Sequence, residues 1–250
     1  MSHLLEVRNL TKRFGGLTAV NDVSVHLDAG EVLAIVGDNG AGKSTLIKMI
    51  SGVYAPDEGE VYFADKRMQV ANPREALEMG IETIYQDLAL AENLNVYSNI
   101  FLGREHLKKF LGFIPVLDHE YMHQEALSVL ERLDIHIPAL KSRISTLSGG
   151  QRQAVAISRS IYWDARVLIM DEPTAALGIT EQKKVLDLVR SLKKHGLGVI
   201  IISHQLHDVF SVADRIVVMR RGKQVADLKT AETGSDEIVK YIVGAETVES

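Results

Sequence analysis

Residues Val32–Ser44 read VLAIVGDNGAGKS: five uninterrupted apolar residues, then a glycine-rich loop that closes on Lys-Ser. The apolar run has the length and character of a strand buried on both faces, as in a parallel sheet covered by helices. Gly37, Asp38, Asn39, Gly40, Ala41, Gly42, Lys43 and Ser44 fit the spacing G-x-x-x-x-G-K-[ST] in full. Glycines let successive backbone N–H groups curl around an anion without Cβ clashes. A helix opening at Ser44 adds the partial positive charge of its N-terminus. In this reading Lys43 reaches β- and γ-phosphates, Ser44 offers its hydroxyl to Mg²⁺, and Thr45 adds a hydroxyl near the α-phosphate.

A second stretch supplies the complement. Val167–Glu172 reads VLIMDE, four core residues followed by two carboxylates at the strand's C-terminal end, where α/β sheets place ligands. Asp171 is positioned to bind Mg²⁺ through water, and Glu172 to polarise an attacking water as general base. An apolar run ending in Asp-Glu is by itself an ordinary helix start. Beside a phosphate loop it acquires chemical meaning.

Working outward, Leu4–Arg8 and Val23–Leu27 alternate apolar and polar residues, the period of half-buried antiparallel strands. Turns are expected at Asp28–Gly30 and Ala55–Gly59, and Asn72-Pro73 opens a helix with a cap residue and a proline at its first position. Ile81–Tyr85 is strand-like. From about 87 to 164 the pattern turns helical, with apolar spacing in Glu120–Leu133 and Gln151–Ile161, and this stretch reads as an inserted helical subdomain. Strands resume at Val167–Met170, Gly198–Ser203 and Arg215–Met219. The fold expected is α/β: a P-loop core with a mainly parallel sheet, an N-terminal antiparallel region and the helical insertion, within one domain spanning 1–250.

Composition bounds the rest. Lys and Arg number 28 against 33 Asp and Glu, a net charge of −5, so no basic footprint for nucleic acid exists. Short basic pairs such as Lys183-Lys184 read as solvated faces. The absence of cysteine excludes disulfides and thiolate metal sites and suits a reducing cytosol. MSHLLEVRNL has no apolar core of signal-peptide length, and the longest apolar runs, Val32–Val36 and Val199–Ile202, are strand-sized. His204 and His207 have a metal-like spacing but lack further ligands nearby.

Leu147-Ser148-Gly149-Gly150-Gln151 precedes the amphipathic stretch and lies between the two phosphate-site motifs. Alone it reads as a serine N-cap with a flexible entry. In this order the chain resembles the ABC ATPase family, whose signature is LSGGQ, from Leu4 to about Gly222. The resemblance implies that Gln86 is the Q-loop glutamine, sensing Mg²⁺ and water, and that His204 is the switch histidine contacting the γ-phosphate. It places Phe14 where an aromatic stacks on adenine. It also implies two cassettes sandwiching two ATP molecules, with Ser148, Gly149, Gly150 and Gln151 of one facing the phosphate loop of the other. One departure stands out: Gly178 occupies the D-loop position where the family usually has aspartate.

The 60 residues between Gln86 and Leu147 leave no room for the long coiled coil of DNA-repair relatives, and the single cassette is unlike two-cassette translation factors. GDNGAGKSTLIKMISGVYAPDEGEV, IYQDLALAENLNVYSNIFLGRE and DEPTAALG are similar to monosaccharide importers of the ribose/fructose type, in which the Gly178 position is often not aspartate. KRFGGLTAVNDVS is similar to branched-chain amino-acid importers. The resemblance therefore implies an ATP-hydrolysing importer subunit on the inner face of the cell membrane. Its partners would be a second copy or a homologous cassette, integral membrane permease subunits docked near 88–104, and indirectly a solute-binding protein. A two-component exporter, a non-transport ATP switch and a catalytically dead cassette are the alternatives, the last opposed by intact Glu172 and His204.

Overall fold

The computed structural model describes residues 3–68, 72–137 and 139–244. Alternation builds the N-terminal strands β1 (Leu5–Phe14) and β2 (Leu17–Leu27), antiparallel with Leu5 opposite Leu27 and Phe14 opposite Leu17. Both run well beyond the alternating windows of the sequence, because the ladder continues through register shifts that break the two-residue period. The apolar run forms β3 (Val32–Val36), buried at every position, and α1 (Lys43–Ile50) follows the glycine loop. β4 (Glu58–Phe63) and β5 (Lys66–Met68) make a hairpin turning through Ala64 and Asp65, both at positive φ. The sequence predicts only a turn at Ala55–Gly59. The missed signal is the burial of Val61 and Phe63 between half-exposed Glu60 and Tyr62. The first sheet has the order β2-β1-β4-β5.

Asn72 caps α2 (Pro73–Glu78) by accepting from the Glu75 N–H, as its residue type dictates, and β6 (Ile81–Ile84) follows. Next come α3 (Val96–Ile100), β7 (Leu107–Phe110), β8 (Ile114–Leu117), α4 (His119–Arg132) and α5 (Gly149–Tyr162). The β7–β8 hairpin interrupts a stretch read from sequence as a helical subdomain; Lys108-Lys109 followed by a mainly apolar run through Gly112 lacks the alternation that marks a half-buried strand. The chain then runs through β9 (Val167–Asp171), α6 (Ile179–Lys194), β10 (Gly198–Ile202), α7 (Leu206–Val212), β11 (Arg215–Arg220), β12 (Lys223–Lys229) and α8 (Ser235–Val243). Edge strand β12 was not anticipated, being half-exposed and polar.

The central sheet has the order β12-β11-β3-β10-β9-β6, parallel throughout except for antiparallel β12. Strands β3, β10 and β9 are buried on both faces apart from Asp171, which is why their sequences are continuous apolar runs. Two compact units emerge. One contains Met1–Gln86, Ala165–Pro173 and Val189–Ser250; the other contains Asp87–Asp164 and Thr174–Leu188. The second has its own core of Val96, Ile100, Phe101, Met122, Leu130 and Val155 among others, closed by Phe101 against the Tyr162 ring at 4.5 Å. Among the described residues, no helix is long and apolar enough to cross a membrane.

Gly37 is fixed by a neighbour. Its φ is 147°, and a Cβ there would lie 2.1 Å from the carbonyl oxygen of Met219 on β11. Gly40, at φ 81°, has no atom within 4 Å of such a Cβ. Gly37→Ala should therefore lower stability by about 3 kcal/mol or more and Gly40→Ala by about 1 kcal/mol, measured by urea unfolding. Equal losses would show that the approach of β11 is not what demands glycine.

Candidate nucleotide-binding site

Parallel register assembles the first unit's site. Ile202 stands opposite Asp171 on one side and Ile35 on the other, so β3, β10 and β9 end at the same level, with β6 beside β9. The loops leaving these ends carry Gly37–Ser44, His204, Asp171-Glu172 and Gln86. A crevice at the C-terminal edge of a parallel sheet is where ligands bind.

The glycine loop leads into α1, whose N-cap is Gly42 at φ 102° with no side chain capping the helix. The first-turn N–H groups of α1 therefore have no side-chain acceptor, the arrangement that receives an anion. A Cβ on Gly42 would lie 2.5 Å from the Ala19 carbonyl oxygen, so this position too is held tight. Asn39, Gly40 and Ser44 are exposed, Thr45 is half-buried and Ala41 is buried. The Lys43 ammonium is buried and donates to the carbonyls of Gly37 at 2.7 Å and Asp38 at 2.9 Å. Burial pushes its pKa down, opposed by the charges of Glu172, Asp171 and Asp38.

The carboxylate pair occupies two environments. Burial pushes the Asp171 carboxyl up, and neighbouring Glu172 pushes further, with Lys43 and Lys48 pulling the other way. Glu172 adopts φ 51°, unusual for a side chain larger than glycine, while its N–H donates to Ile202 O at 2.9 Å. That conformation is a local cost of the kind found at functional sites. Glu172 Oε1 lies 2.8 Å from His204 Nδ1, while the buried Oε2 has no hydrogen-bond partner. The His204 ring itself is largely exposed. Gln86 is exposed, two residues beyond β6. Phe14, at the end of β1, is 42% exposed and meets Tyr54 edge to face at 5.3 Å.

In the second unit, Ser148 and Gln151 form a reciprocal cap on α5: Ser148 Oγ accepts from Gln151 N at 3.4 Å, and Ser148 N donates to Gln151 Oε1 at 3.0 Å. The N-cap anticipated from sequence is thus present. Gly149 and Gly150 have a packing reason as well. A Cβ on Gly149 would lie 2.6 Å from Leu177 Cδ2, and one on Gly150 3.1 Å from Glu181 Cβ. Nothing local in the sequence reveals that Leu177, just before α6, and Glu181, in its first turn, fill that space. Ser148 and the Gly150 N–H hold the Glu181 carboxyl below its usual range. Gly178 is unconstrained, with nothing within 4 Å of a Cβ.

An uncapped helix behind a glycine loop, at a strand edge that also bears a carboxylate pair, defines a P-loop nucleotide-binding ATPase. Residues 20–175 match the family described as ABC transporter. The chain belongs to that family. It is 49% identical to a xylose/arabinose import ATP-binding protein of Sulfolobus acidocaldarius and 42% identical to a fructose import ATP-binding protein of Rhizobium meliloti, covering 97% of this chain and 94% of each relative. A ribose import ATP-binding protein of Rubrobacter xylanophilus is 42% identical, but this chain spans only 48% of its length. A solved nucleotide-free ATP-binding cassette from an ABC transporter superposes with a TM-score of 0.82 at 30% identity, covering 99% of this chain and 97% of that one.

The two acidic environments give a stability test. A carboxyl whose folded pKa is raised contributes stability below its unfolded pKa and loses it as pH rises through the folded pKa. Ionised Asp171 therefore burdens the fold at neutral pH. Asp171→Asn should raise the thermal midpoint, measured without added nucleotide, at pH 7 and lose that advantage as pH falls through the carboxylate range. An advantage that persists in acid would mean that charge is not its cause.

Proposed function

We propose that the chain is the ATP-hydrolysing subunit of an importer for a monosaccharide. The observation that carries the chemistry is Glu172: one oxygen on His204, the other buried without a partner, beside the phosphate loop. The solute class rests on the sugar-import relatives, two of which match this chain across nearly their full length.

In this reading ATP lies along the loop, its phosphates bound by the N–H groups of Gly37, Asn39, Gly40, Ala41, Gly42, Lys43, Ser44 and Thr45. The Lys43 ammonium adds charge at the β- and γ-phosphates, and Phe14 stacks on adenine. The donor set fits Mg²⁺: the Ser44 hydroxyl, Asp171 and Gln86 are hard oxygen ligands, and a cation would relieve the burial that raises the Asp171 carboxyl. When bound, Mg²⁺ neutralises charge on the phosphate oxygens. Glu172 accepts a proton from the attacking water through its free oxygen, and His204 orients the carboxylate and contacts the γ-phosphate.

Two copies, or one copy with a homologous cassette, complete the sandwich with Ser148–Gln151 from the opposite subunit. A dimeric post-hydrolysis ATP-binding cassette bound to ADP and phosphate is 25% identical, with a TM-score of 0.74, covering 90% of this chain and 98% of that one. Membrane permease subunits, and a solute-binding protein beyond them, would turn closure into transport from a cytoplasmic station on the membrane's inner face.

Glu172→Gln should reduce turnover by at least about a hundredfold while leaving ATP binding intact, measured by phosphate release and calorimetry. With the chain reconstituted beside its permease, monosaccharide uptake should stop in the same variant. Unchanged turnover would remove Glu172 from this role, and uptake without hydrolysis would remove the chain from transport.

A further inference from the structure

Eleven residues, 107–117, present the densest exposed apolar surface of the described chain. Leu107, Phe110, Leu111, Phe113, Ile114 and Leu117 are 63%, 57%, 70%, 76%, 40% and 41% exposed. They belong to the β7–β8 hairpin, far in sequence from the phosphate-site motifs. Cross-strand pairs share a face, so Leu107, Leu117 and Lys109 lie on one side, and Phe110, Ile114 and Lys108 on the other. Leu111 and Phe113 form the tip. Both faces and the tip are therefore apolar, with one lysine on each face.

The tip also carries backbone cost. Leu111 adopts φ 50° and Gly112 φ 79°, the left-handed pair of a tight turn closed by Phe113 N on Phe110 O at 3.3 Å. Asn or Asp is the usual residue at the first of these positions, because leucine is strained there. A leucine that is both strained and exposed suits neither the fold nor solubility. The hairpin's base, by contrast, is tied down: Asp118 N donates to His106 O at 2.8 Å, and Tyr162 Oη lies 3.3 Å from His106 Nε2. Lys108 pairs with Asp118 at 3.2 Å, whereas Lys109 has no ion pair among the described residues.

From these observations we infer that the β7–β8 hairpin inserts its tip into the interface of an anionic lipid bilayer. A flat protein surface would cover one face of the ribbon and leave the other wet, while a fluid interface covers both faces and the tip together. Depth agrees with this occupant. At about 3.3 Å per residue, Lys109 stands roughly 7 Å behind Leu111, within the roughly 5–10 Å to which interfacial elements bury. Lys109 then meets the headgroups while Phe110, Leu111, Phe113 and Ile114 reach the acyl boundary. This contact goes beyond the nucleotide chemistry and requires no permease.

The test is co-sedimentation of the full chain with vesicles of phosphatidylcholine alone and of phosphatidylcholine with phosphatidylglycerol. Wild type should bind the anionic vesicles more tightly, and less so at high salt. Leu111→Asn with Phe113→Ser, which keeps a turn-compatible residue, should lose roughly tenfold or more in affinity. Lys109→Gln should lose roughly fivefold. Basal ATP hydrolysis should be unchanged in both variants, which separates failure of this inference from failure of the ATPase reading. Wild type that ignores both vesicles, or tip variants that bind as wild type does, would overturn it. Variants that lose a permease contact while wild type shows no lipid affinity would assign the finger to a protein and overturn it equally.

Discussion

Ile202 pairs with Asp171 on one side and Ile35 on the other, and this level registration of three buried parallel strands is what the candidate site depends on. Residues remote in sequence become neighbours because the strands that carry them end together. A one-residue slip would exchange each strand's two faces, and side chains close-packed on both sides resist that exchange. The same packing brings β11 so close to the glycine loop that Gly37 leaves no room for a side chain. The phosphate loop is therefore shaped from outside by the sheet as much as by its own glycines.

Electrostatics supplies the second layer. A buried ammonium and two neighbouring carboxyl groups are expensive to keep charged away from water, and the shifts follow that cost: Lys43 is pushed down and Asp171 up. Each partly compensates the other. A polyphosphate carries the negative charge that favours a protonated Lys43, so it offsets part of the cost of burying that ammonium. The Glu172 backbone at positive φ and its partnerless oxygen belong to the same account, since both are costs that the surrounding ladder tolerates.

Legibility followed the physics. Val32–Val36, Val167–Met170 and Val199–Ile202 are legible because burial on both faces writes a continuous apolar run. The phosphate loop could be read because its glycines answer to close approach and unusual φ. The β4–β5 hairpin, β12 and the β7–β8 finger are harder to read: the first is short, with only Val61, Phe63 and Met68 buried, β12 is half-exposed and polar, and the finger has exposed apolar residues where a strand normally alternates. Glu181 and Leu177 were invisible for another reason. Their relation to Gly149 and Gly150 exists only through packing of a distant helix start, which no local pattern encodes. The approach of Met219 to Gly37 is equally non-local, although the glycine itself was conspicuous.

The most direct measurement is calorimetric titration of the chain with Mg-ATP, comparing wild type with Lys43→Ala. If the strand-end groups form one nucleotide site, the variant should bind at least about tenfold more weakly, because a charge-assisted contact to phosphate is lost. Affinity unchanged within error would contradict the account, since it would place the triphosphate somewhere other than the loop after β3.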